Sequence, residues 1–125
     1  MGIDRLFVYG TLKPGQSRWS VVASYVEPGE PILDAEVNGQ LWATPWDWPA
    51  LTLGIGSVPG VLLALRPDLV AEALARLDEI EGVGSGLFKR VAVTTRCGVL
   101  CWVYLWPSGT KGFTPVDFWA SNSPE

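Results

Sequence analysis

The chain has 125 residues, enough for one domain that buries about two-thirds of its unfolded surface, and its hydrophobic content of 48% argues against disorder. A net charge of −4 without a basic cluster makes nucleic acid an unsuitable partner. The complete lack of histidine removes a Ser–His–Asp triad, a Cys–His pair and the commonest transition-metal ligand, so acid–base chemistry near neutral pH falls to a perturbed carboxylate, Lys, Tyr or Cys.

The two cysteines, Cys97 and Cys101, are too few for a disulfide framework or a structural zinc site. They also lack the Cys-x-x-Cys spacing of a redox pair. Asp4 and Arg5 precede any long apolar run, so no signal peptide is expected. The longest apolar run, Val99 to Trp106, is too short to cross a membrane. These features predict a cytoplasmic protein with no membrane partner and no bound metal. Seven tryptophans suit a core and a binding surface equally.

In chain order, Leu6 to Tyr9 reads as a strand buried on both faces, because it does not alternate with polar residues. Gly10 is expected to permit a turn that a Cβ would resist, and Pro14-Gly15 marks a second turn. The backbone N–H groups of Gly10, Thr11 and Leu12 are thereby left without an obvious ladder, as in an anion-binding concavity. Gly10 to Ser17 approaches a phosphate-binding Gly-x4-Gly-Lys-Ser loop. Gln16, however, stands where the phosphate-neutralising Lys belongs, and Pro14 obstructs the run into a helix. Trp19 to Val26 fits a short helix or an extended arm. Ala35 to Ala43 alternates as a strand, and Thr44 to Pro49 is a loop rich in Pro and Trp. A short extended piece from Ala50 to Leu53, a turn at Gly54-Ile55-Gly56 and a strand from Val58 to Leu65 follow. Gly60 within that strand marks a bulge or a close backbone approach.

Pro67 opens the one clear helix, which runs to Ile80 or Glu81. Strands at Leu87 to Thr95 and Val99 to Trp106 are joined as a hairpin around Arg96-Cys97-Gly98. In the tail, Val116-Asp117-Phe118-Trp119 could dock back on the domain. The whole reads as a single α+β domain spanning 1–125: a small mixed β-barrel of five to seven strands with one principal helix packed on it. Near-continuous apolar strands favour closure or near-closure over a flat sheet.

The helix holds an anomaly. Its apolar stripe, Val70, Leu74 and Leu77, continues in phase to Glu81. Asp68, Glu72, Arg76 and Glu79 form the wet stripe, with Glu72 and Arg76 spaced as an i,i+4 pair, and Asp78 lies at the edge of the packed face. Partial burial and the negative end of the helix dipole would both raise the pKa of Glu81, poising it for general acid–base work. The competing arrangement is a helix that frays before Gly82 and releases Glu81 to solvent.

Taken with Leu77-Asp78-Glu79-Ile80-Glu81-Gly82, the stretch from Phe7 to Gly15 resembles the gamma-glutamylcyclotransferase-like family, which includes the AIG2-like proteins. Trp48-Pro49-Ala50-Leu51, Val58-Pro59-Gly60-Val61-Leu62, Phe88-Lys89-Arg90 and Trp102-Val103-Tyr104 resemble its further motifs in the right order. The resemblance implies a cavity at one end of a barrel, no cofactor, and a small gamma-glutamyl substrate whose head group is held by Tyr9, Gly10, Thr11 and Leu12. It also implies Glu81 as the acid–base residue of a lyase that releases 5-oxoproline and an amine or amino acid. Arg90 is a candidate for steering an anionic substrate, against the usual solvated Arg of a hairpin. Tyr104 is a candidate for placing a hydroxyl in the cavity, against a core or rim role. Trp46 and Trp48, beside the cavity mouth in this reading, are candidates for shaping specificity, against an equal case for loop packing alone. Phe88 departs from the family's usual Tyr and lacks its hydroxyl. The alternative function is a module of the same fold that binds small ligands without turning them over.

Overall fold

The sheet is built around β1 (Arg5–Val8), which has a strand on each side. It pairs antiparallel with β3 (Pro49–Ala64), from Arg5 opposite Ala64 to Val8 opposite Val61, and parallel with β5 (Leu100–Leu105) at Leu6 and Trp102. The computed structural model describes residues 2–119. With β2 (Leu33–Ala43), β4 (Lys89–Thr94) and β6 (Thr114–Val116), the six strands lie in the order β4-β5-β1-β3-β2-β6. Non-neighbouring strands approach across the concave side. The Trp106 N–H, just past β5, donates to the Leu51 carbonyl of β3, and the Arg96 N–H donates to Glu36 of β2. The sheet is thus a curled half-barrel with one main helix, an α+β fold as expected.

Apolar side chains of β1 point alternately into two cores, which is why its sequence shows no polar alternation. Leu6 and Val8 pack with Leu63 and with Ala73, Leu74 and Leu77 of the main helix, α2 (Val70–Ile80). Phe7 and Tyr9 pack inside the curl with Val37, Leu41, Leu51, Val103 and Trp119.

One feature differs from expectation in the middle of the chain. No turn separates two strands at Gly54-Ile55-Gly56. Instead β3 is continuous and carries a wide bulge, because the register passes from Asn38 opposite Ser57 to Gln40 opposite Thr52. Leu53 to Gly56 therefore oppose Gly39 alone, and a Cβ on Gly39 would lie 2.4 Å from the Thr52 carbonyl oxygen. Gly60 needs no bulge; there β3 approaches β1 so closely that a Cβ would sit 2.5 Å from the Phe7 ring and the Val8 carbonyl.

Trp19–Ala23 forms the short helix α1, with Val22 fully buried. A 3-10 turn at Pro67–Leu69 leads into α2. The expected Glu72–Arg76 pair does not form. Arg76 pairs with Glu79 at 2.9 Å, and Glu72 faces the Tyr25 hydroxyl at 3.5 Å, a contact from just beyond α1 that helical spacing does not reveal. The β4–β5 hairpin turns at Gly98, whose φ of +91° explains the glycine. In the tail, β6 pairs with β2 and Trp119 is buried, while Phe118 faces solvent. Among the described residues no helix is long and apolar enough to cross a membrane.

Candidate active site

β1 ends at Val8, and the chain descends through two tight turns, Lys13 N–H to Gly10 and Gln16 N–H to Lys13, both at 3.0 Å, within a wider loop closed by Arg18 N–H to Thr11 at 2.8 Å. Among the described residues, the N–H groups of Gly10, Thr11 and Leu12 donate to no other backbone group outside the helices and strands. Gly10 is not in the left-handed region, so its backbone does not call for glycine in the way the sequence suggests. Space requires it instead: a Cβ there would lie 2.6 Å from the Pro49 ring. The conformationally demanding residue of the loop is Gly15, with φ of +83° at the Pro14-Gly15 turn.

Tyr9, Gly10, Thr11 and Leu12 line one pocket together with Arg18, Trp48, Pro49, Glu81, Phe88 and Tyr104. The pocket opens to solvent, and its empty space, that open mouth included, is about 390 Å³. Among the described residues, Arg18 and Glu81 are the only charged side chains in the lining.

Glu81 is 9% exposed and caps α2, in phase with the buried Leu74 and Leu77. The helix end does not fray. The Glu81 N–H donates to the Leu77 carbonyl at 2.8 Å, and Gly82, with φ of +69°, turns the chain away. Burial raises the Glu81 pKa above its ordinary value; the charge of Arg18, and the hydrogen bond from its Nη1 to Oε2 at 2.9 Å, pull against that shift.

The two tyrosines of the lining have their hydroxyls engaged. Tyr9 donates to the Tyr104 carbonyl at 2.6 Å, and Tyr104 donates to Asp78 Oδ1 at 2.8 Å. Burial, then the negative charge of Glu81, raises the Tyr9 pKa; burial and Asp78 raise that of Tyr104. Both therefore remain protonated near neutral pH.

Arg90 does not line the pocket. Its guanidinium grips Asp78 through Nε at 2.7 Å and Nη2 at 3.1 Å, and lies 4.3 Å over the Trp102 ring. Burial raises the Asp78 pKa, but the hydrogen bonds from Arg90 and Tyr104 outweigh it and hold the carboxyl below its ordinary value. Asp78 thus fastens the last turn of α2 to β4 and β5, three residues before Glu81. Phe88 is buried in the lining against Trp48, with ring centroids 5.3 Å apart. Trp46 lies outside the lining, stacked on Trp48 at 4.9 Å.

Residues 6–120 match the family described as gamma-glutamyl cyclotransferase, AIG2-like. The chain belongs to that family. No curated protein matches it in sequence. Among solved structures, an AIG2-like protein of Mus musculus is 20% identical, with 99% of this chain and 92% of that one covered and a TM-score of 0.69. An uncharacterised protein of Pyrococcus horikoshii is 23% identical, over 93% and 86% of the two chains, with a TM-score of 0.67. The Escherichia coli protein ytfP is 26% identical, over 91% and 92%, with a TM-score of 0.59. This AIG2-like chain therefore has a cyclotransferase-like fold throughout its described length.

Two lining features of this AIG2-like pocket escape a reading of the sequence. Arg18 follows a turn and precedes a five-residue helix, with no periodicity to mark its direction. Pro49 lines the pocket because β3 passes against Gly10. Asp78 had a visible signal, its place at the edge of the packed face, but its partners Arg90 and Tyr104 come from β4 and β5.

Proposed function

We propose that the chain is a gamma-glutamyl cyclotransferase-type enzyme that releases 5-oxoproline and an amine or amino acid from a gamma-glutamyl substrate, with Glu81 as general acid and base. The observation that carries this reading is a buried carboxyl, raised in pKa, in the same pocket as the amides of Gly10, Thr11 and Leu12. Those amides, with Tyr9, hold the gamma-glutamyl head group. Glu81 accepts a proton from the α-ammonium, and the freed amine attacks its own γ-carbonyl carbon. The new N–C bond closes a five-membered ring, and the bond from the γ-carbon to the departing nitrogen breaks. Two protons leave the α-nitrogen and two arrive on the departing nitrogen; Glu81 relays them and ends as it began. The tyrosines cannot replace it as base, since the pKa of each is raised and each donates its proton in a hydrogen bond.

The reaction suits a site without histidine. Nucleophile and electrophile share one molecule, so holding the chain curled supplies much of the rate by orientation. The proton relay adds about 10²–10⁴-fold. No water is activated and no redox step occurs, so the chemistry requires neither metal nor cofactor. Cys97 and Cys101 are both free thiols, which suits a reducing cytoplasm.

Incubation with gamma-glutamyl amino acids, gamma-glutamyl amines and glutathione, followed by chromatographic assay of 5-oxoproline, tests the proposal. Product is expected from at least one of them, and Glu81→Gln is expected to lower kcat by about 10²–10⁴-fold with an unchanged circular dichroism spectrum. No product from any member would overturn the enzyme reading, and saturable binding without product would assign the pocket to a ligand-binding module.

A further inference from the structure

Arg18 is the one cation of the pocket lining among the described residues, and its side chain is 39% exposed where that of Glu81 is 11% exposed. Its Nη1 is on Glu81, and no other hydrogen bond engages the guanidinium among the described residues. A guanidinium has five N–H donors in a planar fork, so four remain for a second anion.

The reaction decides where that anion would come from. Glu81 must come within proton-transfer reach of the departing nitrogen to return a proton to it. If the departing group is an α-amino acid, its carboxylate is attached one carbon beyond that nitrogen. A group in contact with Glu81 is then also within reach of a carboxylate so placed, and Arg18 is in contact with Glu81 at 2.9 Å. Among the described residues, the rest of the lining offers no second cation to receive the carboxylate and, apart from Glu81, no acid to attract a cationic departing group. Trp48 and Phe88 give the same pocket an apolar, aromatic surface.

We propose that Arg18 is a specificity-determining residue whose unengaged N–H groups receive the carboxylate of the departing half, so that the site selects gamma-glutamyl α-amino acids over the corresponding gamma-glutamyl amines. This rests on the cyclotransferase reading above and names the substrate class for it. Arg18 also offsets the burial of Glu81, so its removal alters the proton relay for every substrate. Besides burial, the group acting on Glu81 is Arg18 from the segment before α1, while the charge of Glu81 in turn raises the pKa of Tyr9 and Tyr104. The diagnostic quantity is therefore a ratio between two substrates rather than either rate.

The test uses gamma-glutamyl-phenylalanine and gamma-glutamyl-phenethylamine, which differ only by the carboxylate. In the unmodified protein the ratio of their kcat/KM values is expected to be about 10–100 in favour of the amino acid, the range of a hydrogen bond to a charged group. Arg18→Gln should bring it near one, and Arg18→Lys should restore part of it through charge without the fork. An unmodified ratio near one, or a ratio that Arg18→Gln leaves intact, overturns the proposal. Should neither compound be turned over, the cyclotransferase reading is decided by the full substrate panel above, and the selector is decided by binding. The same comparison is then made in binding, by quenching of tryptophan fluorescence, since Trp48 lines the pocket. Equal affinities for the two compounds, or a preference that survives Arg18→Gln, would then overturn the selector.

Discussion

Glu81 shows how one side chain can be set against the stability of its fold. Burial favours the neutral acid, Arg18 favours the anion, and burial prevails, so the folded chain binds this proton more tightly than the unfolded chain does. The stability from that proton is complete below the unfolded pKa and is lost as pH rises through the higher folded value. Glu81→Gln keeps the shape of the side chain and cannot ionise. We therefore expect Glu81→Gln to unfold a few degrees above the unmodified protein at pH 7, with the gain absent below about pH 4. Thermal unfolding followed by circular dichroism at both pH values checks this; equal midpoints at pH 7 would mean that Arg18 fully offsets the burial. The helical phase of Val70, Leu74 and Leu77 identifies Glu81 from sequence alone, because a repeat of three and four residues is a local property. Arg18 lies 63 positions away from Glu81, and no local pattern connects them.

At the scale of elements, β3 controls the shape of the site. It pairs with β1 and β2, bulges at Leu53 to Gly56, and places Pro49 against Gly10. It also comes close to β1 at Gly60, whose missing side chain admits the Phe7 ring. Gly60→Ala should cost about 1–3 kcal/mol by overpacking, read as a lower urea midpoint with an unchanged slope. A midpoint within error would mean that Phe7 repacks freely. Sequence marks Gly60 as a bulge or a close approach without deciding between them, because both accept a glycine in a strand. It misplaces a turn at Gly54-Ile55-Gly56 for a related reason. A wide bulge and a turn have the same glycine-rich signature, and only the partner strand, with Gly39 opposite four residues, tells them apart.

At the scale of the whole molecule, the curl brings the tail onto the site loop. Trp119 is 9% exposed inside the concave core, and its carbonyl accepts a hydrogen bond from Lys13 Nζ. Its indole lies 3.9 Å from the position a Gly10 Cβ would take. Trp119→Ala should cost about 3–5 kcal/mol and speed amide exchange at Gly10 to Leu12, measured by hydrogen–deuterium exchange. Unchanged exchange in a destabilised variant would confine the tail's role to the core.

The strand–loop–helix order and the phase that leads to Glu81 are legible in the amino-acid string, because hydrophobic period and turn chemistry act over a few residues. So are the motifs that mark the family. The destination of each polar group was decided in three dimensions. Arg90 and the Tyr104 hydroxyl, both candidates for contact with substrate, converge on Asp78, since antiparallel pairing of β4 and β5 sets them opposite each other and beside the end of α2. Arg18, unmarked in the sequence, reaches the buried carboxylate. Charged side chains pair with whatever the fold brings within about 4 Å, and that proximity is a product of the sheet's curl rather than of any local pattern.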